Sequence, residues 1–469
     1  MATYDLLLKG AVVVDPVGRV DGPLDVGIAG GRVAEVGPGL PGSAAAEVID
    51  LTGHVLMPGV IDTHTHIQGP AMRMMARAGV CTALEMADFR SLLAEFAARG
   101  CGLNVAGLQA IGPWAAETPG RAEVAGLIDE ATAAGAIGIK MIGGHRPSTP
   151  AATELMIDAA NRAKAYVAFH VGSTETGSHL RGLLEAIELA GDNSLHIAHV
   201  NSYLRGMIKD PAAEVLEGLA AIEGKSNLVS ESYLAVINGT GGAVGPDGLP
   251  ASHVTRNCLR MRGYSADEAG LEQAIRDGYG LVHTEEGGVT VPVTGPAGAD
   301  IWRARGTQVM MSFPVNQPQA TFLCAVRKDG AGRFTVDAIS TDGGSIPRNV
   351  TVEYGLSLVR YQALSLREFV WKASAAGALM LGLKDKGHLG PGADADVTVL
   401  DLARGKAVMT IVGGRVVMAN GVIYGTGGTI ITTPRGEANV RASGLGCKVV
   451  HPEEMLLYTK RRSWPRMPA

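Results

Sequence analysis

The 469-residue sequence predicts an α/β fold: a parallel (β/α)8 barrel with a small, discontinuous β-sandwich domain built from both chain ends. Three observations carry this reading. Five apolar runs in the middle of the chain each end in a residue able to bind metal, as parallel barrel strands would present them at their C-terminal ends. Strand and helix patterns alternate from Gly59 to about Asp385, as in successive βαβ units. Short apolar segments broken by Asp-Gly and Gly-Gly turns flank that region on both sides.

The elements follow in order. Leu6–Leu8, Ala11–Val14, Val26–Ile28, Val33–Val36, Val48–Ile49 and Val55–Leu56 read as short antiparallel strands. Residues 1–58 are therefore the first part of the β domain. Gly79–Met86 reads as strand, Phe89–Arg99 as helix, Val105–Leu108 as strand, Val124–Ala134 as helix and Ile137–Ile142 as strand. Pro150–Ala163 reads as helix, with strands at 166–170 and 195–200 separated by a helix over His179–Ala190. The Gly-rich stretch near 239–307 breaks the alternation and is expected to be an insertion close to the active site. The barrel thus spans 59–385. After a helix over Leu366–Leu381, strand texture returns, so 386–469 is expected to complete the β domain and end in an irregular tail.

Composition bounds the rest. A barrel of roughly 250 residues plus one smaller domain accounts for the length. The 64 glycines and 4% aromatics suit tight βα turns around a core of Val, Ile, Leu, Ala and Met. A net charge of −5 leaves no basic footprint for nucleic acid. The one basic run, Lys460-Arg461-Arg462 with Arg466, is expected to be a solvated tail or a subunit contact in a homo-oligomer. No apolar run approaches the roughly 20 residues of a membrane span, and Met-Ala-Thr-Tyr-Asp lacks a charged n-region before an apolar one. Cys81, Cys101, Cys258, Cys324 and Cys447 are scattered and odd in number, so they are expected to be reduced and structural. A cytoplasmic protein without membrane contact is the resulting expectation.

The chemistry sits at the strand ends. In Val-Ile-Asp-Thr-His-Thr-His the alternation of a strand puts His64 and His66 on one face, close enough to share a metal ion. Lys140, His170, His199 and Asp342 end four further runs. His196 and His199, three apart, face opposite sides of their strand, so only one points into the barrel mouth. His54, His179, His253, His283, His388 and His451 read as solvent or packing residues, and Met72, Met74 and Met75 as helix packing.

The chain resembles the amidohydrolase superfamily, in its dihydroorotase, hydantoinase and D-aminoacylase branch. The resemblance rests on "LLLKGAVVVD", "VIDLTGHVLMPGVIDTHTHI", "GIKMIGG", "HIAHVNS", "STDGG" and "KGHLGPGADADVTVLD" with "IVGGRVV", in that order along nearly the whole chain. It implies two divalent metals, zinc first and manganese second. His64, His66 and Asp342 would hold one, His170 and His199 the other, and Lys140, carboxylated by carbon dioxide, would bridge both. It further implies a small-molecule amide substrate, attacked by a water whose pKa the metals lower, with Asp342 as proton acceptor and donor. Hydantoinases carry a tyrosine five residues beyond the bridging lysine. His145 stands at that position and is expected to donate the same hydrogen bond to a developing oxyanion. Asn201, Ser202, Tyr203, Ser232 and its neighbour Tyr233, and Arg348 are further substrate-site candidates by position. Arg348 would either clamp a substrate carboxylate or pair with a loop acid. A non-catalytic scaffold and a mononuclear deaminase are the alternatives. Loss of ligands would mark the former, and Lys140 argues against the latter.

Overall fold

The computed structural model describes residues 3–460 and 467–468, so Arg461, Arg462 and Arg466 of the basic run lie outside the described residues. Eight parallel strands form the central sheet: β1 (Val60–His66), β2 (Val80–Glu85), β3 (Cys101–Ala110), β4 (Gly138–Met141), β5 (Tyr166–Phe169), β6 (Leu195–Ile197), β7 (Leu228–Tyr233) and β8 (Ala338–Ser340). Both faces of these strands are covered, which is why they read as apolar runs rather than as an alternation. β8 pairs with β7, and the chain three residues further on, at Gly343–Gly344, pairs with β1. The sheet thereby closes around a buried interior. Gly344 is required at this seam, because its φ is +80° and a Cβ there would lie 2.4 Å from the His66 carbonyl oxygen.

The barrel helices begin where local chemistry places them. Helices over Phe89–Arg99 and Pro150–Ala163 have the expected bounds. Asp88 accepts hydrogen bonds from the Arg90 and Ser91 amides, while Thr149 caps a helix that opens on Pro150. The helix expected over Leu366–Leu381 is interrupted by a π-helical turn at Trp371–Ala375. Inside it the fully buried Lys372 donates to the Cys324 and Ala325 carbonyls.

The first five strands (Tyr4–Asp15, Val20–Ala29, Arg32–Gly37, Ala45–Asp50, Val55–Pro58) form one sheet with Val397–Asp401, Lys406–Val412, Arg415–Ala419 and Val422–Ile423. Val55–Pro58 and Val397–Asp401 pair antiparallel, joining the two chain ends over a core that includes Leu8, Val13, Val26, Leu56 and Ile411. The segments Leu6–Leu8 and Ala11–Val14 are a single strand with a register shift between them.

Beyond Gly427 the chain departs from expectation. Gly427–Thr432 pairs in parallel with β3, Gly446–Val449 pairs with it, and Met455, Leu456 and Leu457 enter the barrel's hydrophobic core. The apolar side chains of this segment are buried on the flank of the barrel rather than in the β domain. Lys460 is no solvated tail residue: it is buried, 2.7 Å from Asp337 Oδ1, and donates to the Leu228 carbonyl at the foot of β7.

The insertion lies between β7 and β8. A four-stranded antiparallel sheet (Thr240–Gly241, Met310–Ser312, Leu281–Glu286, Val289–Val293) packs with helices His253–Met261, Glu268–Arg276 and Gly295–Ala304 around Leu259, Leu271, Val282, Trp302 and Phe313. It runs past the expected end at 307 because Met310–Ser312 pairs with two other strands of this sheet.

Candidate metal centre and substrate cavity

The five strand-end positions converge at the mouth of the barrel. His64 and His66 leave the same face of β1, and Asp342 reaches them from the turn after β8. Asp342 Oδ1 lies 3.0 Å from His66 Nε2 and 3.3 Å from His64 Nε2. One ligand atom from each of the three falls within 4.8 Å of the others. Opposite, His199 Nε2 is 3.1 Å from His170 Nδ1, and the His64 and His199 rings are 5.0 Å apart. Asp342 and His199 both adopt positive φ, +47° and +32°, which non-glycine residues keep only where surrounding structure holds them. His196 points the other way, toward the Tyr166 hydroxyl 3.0 Å from its Nδ1, so His199 is the histidine of this strand end that faces the cavity.

Burial sets the charge states. It pushes His64, His170 and His199 well below the ordinary histidine pKa, leaving neutral imidazoles with lone pairs to donate. Burial alone would raise the Asp342 pKa, but the Arg348 guanidinium and neighbouring imidazoles outweigh it and keep the carboxyl well below its usual range. Lys140, 2% exposed at the end of β4, makes no ion pair among the described residues. Its Nζ is 3.7 Å from Met86 Sδ, and burial lowers its pKa. Neutral nitrogen donors, an ionised carboxylate and a buried amine able to react with carbon dioxide form a donor set that fits divalent metal. The buried His199 Nδ1, which has no hydrogen-bond partner among the described residues, agrees with that fit.

A carboxylate that the sequence reading passed over holds this set together. Glu231 of β7, fully buried, accepts from His64 Nδ1 at 2.7 Å, from the His199 amide at 2.6 Å and from the Ser340 hydroxyl. With Nδ1 donating, His64 turns the lone pair of Nε2 toward Asp342. Asp62 ties β1 to β8 through the Thr341 amide and hydroxyl, 3.1 and 2.5 Å away. An acid within an otherwise uncharged buried strand, as in "NLVSESYL", was the available signal for Glu231.

The other candidates divide. His145 and Ser202 face the cavity. His145 Nδ1 is 3.0 Å from Ser252 Oγ of the insertion, and its ring lies 4.6 Å from that of His170. Asn201 and Tyr203 lie behind the wall: Asn201 Oδ1 accepts from the Tyr233 amide, and the Tyr203 hydroxyl accepts from the Val171 amide. Ser232 also departs from the expected substrate position. It follows Glu231 on β7, so its side chain leaves the opposite face and is buried away from the cavity, which Tyr233 lines. Arg348 lines the cavity but is taken up by an acid, and that acid is Asp342: Nη2 is 2.5 Å from Oδ2, and Nε donates to the Asp342 carbonyl. Its guanidinium also sits 4.4 Å from the centre of the Tyr233 ring.

The cavity over these residues has a volume of about 520 Å³. Its far wall comes from the insertion, through Thr240, Ala243, Ala251, Val254 and Met310.

The chain is similar to known proteins in sequence and in fold. A sequence profile described as the Amidohydrolase family matches residues 357–418. A dihydroorotase of Geotalea daltonii is 26% identical over 431 residues, covering 85% of this chain and 89% of that one. A D-aminoacylase crystal structure covers 91% of this chain and 99% of its own with a TM-score of 0.66 at 20% identity. The dihydropyrimidinase of Brevibacillus agri covers 90% and 97% with a TM-score of 0.58 at 15% identity. These two share the fold. The profile match and these likenesses support a place for the chain in the amidohydrolase superfamily, near dihydroorotases in sequence and near D-aminoacylase and dihydropyrimidinase in fold.

Proposed function

We propose that this protein is a metal-dependent hydrolase of amide C–N bonds, acting on a small cyclic amide or an N-acyl amino acid. The convergence of His64, His66, Lys140, His170, His199 and Asp342 on one cavity carries the reading. These residues would hold two divalent ions, zinc in the first place and manganese in the second, with Lys140 as a carbamate. Its neutral amine adds to carbon dioxide and releases a proton to solvent, turning a cation into an oxygen donor. When bound, such ions polarise an amide carbonyl and bring the pKa of water down to about 7.

The side chains supply the rest. Asp342 takes the proton of the attacking water and passes it to the leaving nitrogen. Arg348 holds Asp342 Oδ2, leaving Oδ1 toward His64 and His66. His145, steadied by Ser252, donates to the oxygen that gains charge as the carbonyl is attacked. Five free cysteines and the absence of a membrane-length apolar helix among the described residues support a cytoplasmic setting. We also keep a homo-oligomer as part of the proposal.

Elemental analysis with gentle intact-mass measurement tests it. About two metals per chain, with the mass of one carbon dioxide that disappears in Lys140→Ala, is the expected result. One metal and no added mass would overturn the bridging role and favour a mononuclear deaminase. Turnover of hydantoins, dihydropyrimidines, lactams or N-acyl amino acids completes the test, and a fully metallated chain inert on all four classes would refute the activity.

A further inference from the structure

Arg205 has no part in the proposed chemistry, yet its charge sits in the cavity. It follows β6 and lines the same cavity as His145, His199 and Asp342. The residue is 7% exposed, yet no carboxylate among the described residues lies within ion-pairing distance of its guanidinium. Its Nε donates to the neutral Asn316 Oδ1 at 2.9 Å. Asn316 is itself fixed, its Nδ2 donating to the Tyr233 hydroxyl and to the Ala235 carbonyl. Arg205 is therefore clamped by one edge, and its two Nη groups are not spent on acceptors among the described residues.

That is an unusual way to keep a guanidinium. A charge withdrawn from water without a counter-charge is costly, and buried charges are normally paired. The neighbouring Arg348 obeys the rule, since Asp342 neutralises it. Arg146, the remaining arginine of the cavity wall, is exposed at the rim and solvated. Among the described arginines of the cavity, Arg205 is the one that offers a fixed, uncompensated positive charge inside it, with a planar pair of donors shaped for a carboxylate. The insertion wall of Ala243, Ala251, Val254 and Met310 adds an apolar surface without charge.

We infer that Arg205 is a specificity-determining residue and that the substrate is an amide bearing a carboxylate, which pairs with the Arg205 Nη groups while an apolar portion lies against the insertion wall. This rests on the hydrolase reading above and narrows it: neutral hydantoins and dihydropyrimidines are poor substrates, and acids with the same scissile bond are good ones. A site built around a buried charge rejects the analogue that lacks its partner far more strongly than an apolar pocket rejects a shape.

Matched probes test this on the metal-loaded enzyme: dihydroorotate against dihydrouracil, and N-acetyl-leucine of each hand against its primary amide. At least one acid is expected to exceed its neutral twin about 100-fold in kcat/KM. In Arg205→Gln that ratio collapses toward unity, and Arg205→Lys restores part of it, with metal content matching the parent in both. Equal or better turnover of the neutral twins, or a ratio untouched in Arg205→Gln, overturns the inference. Calorimetric binding of the same pairs separates the two claims. If no probe is hydrolysed but the acids bind, and bind at least about 10-fold more weakly to Arg205→Gln, the hydrolase reading fails and the carboxylate site stands. Acids that bind no better than their amides refute the carboxylate site whatever the turnover.

Discussion

At the scale of single residues, the candidate ligands were legible because each belongs to a local pattern. His64 and His66 are two apart on one strand, and Lys140, His170 and His199 each end or directly follow an apolar run. Glu231 left only the trace of an acid in an apolar strand and Arg205 left none, since their roles depend on what faces them from other elements. Glu231 joins β7 to His64 of β1, the His199 amide beyond β6 and Ser340 of β8. Glu231→Gln is expected to weaken metal binding about 10- to 100-fold, read by competition with a chelator, because an amide NH2 then opposes one of three donors. Parental affinity would mean that Glu231 does not orient His64. Asp342→Asn should lower kcat by a factor of about 10² to 10⁴ if its carboxylate moves the proton, with substrate KM little altered. A rate within a few-fold of the parent would remove Asp342 from that role.

At the scale of elements, strand spacing decides whether the ligands meet. Gly138 of β4 stands opposite Tyr166 of β5, where a Cβ would fall 1.9 Å from the Tyr166 carbonyl oxygen. Gly138→Ala therefore has to push β4 away from β5 and carry Lys140 with it. We expect a loss of about 1–3 kcal/mol in a denaturant melt and a fall in the fraction carrying the carbon dioxide mass. An unchanged melt with full carbamate would show that the strands absorb the methyl group. Helix bounds such as Phe89–Arg99 could be read from the chain because Asp88 caps its own neighbours. The destination of Gly427–Thr432 could not, because an apolar strand fits the edge of either sheet, and only the available partner, β3, settled it.

At the scale of the whole molecule, closing the barrel buries charge that the unfolded chain would leave in water. His64, His170, His196 and His199 are all buried with pKa values held below the ordinary 6.5. On unfolding they regain that value and bind protons more readily than in the fold. Their contribution is therefore complete above about pH 6.5 and is lost as pH falls toward their folded values. Asp342 and Asp394, also depressed, add a loss in the same direction at lower pH. Asp62, Glu85 and Glu231, raised by burial, hold protons in the fold and oppose part of that loss. With four imidazoles against three carboxyls, the metal-free protein is expected to lose thermal stability modestly between about pH 7 and pH 5, with a small net proton uptake on unfolding in calorimetry. Net proton release across that range would contradict burial of four neutral imidazoles. By itself the sequence determined the alternation of elements, the strand ends that carry ligands and the union of both chain ends in one β domain, because hydrophobic period and strand-end chemistry are local. The tertiary structure decided that Arg348 is spent on Asp342 while Arg205 is not, that Ser232 faces away, and that the tail flanks the barrel. Those outcomes depend on which side chains meet across distant strands, and closure of the barrel alone brings them together.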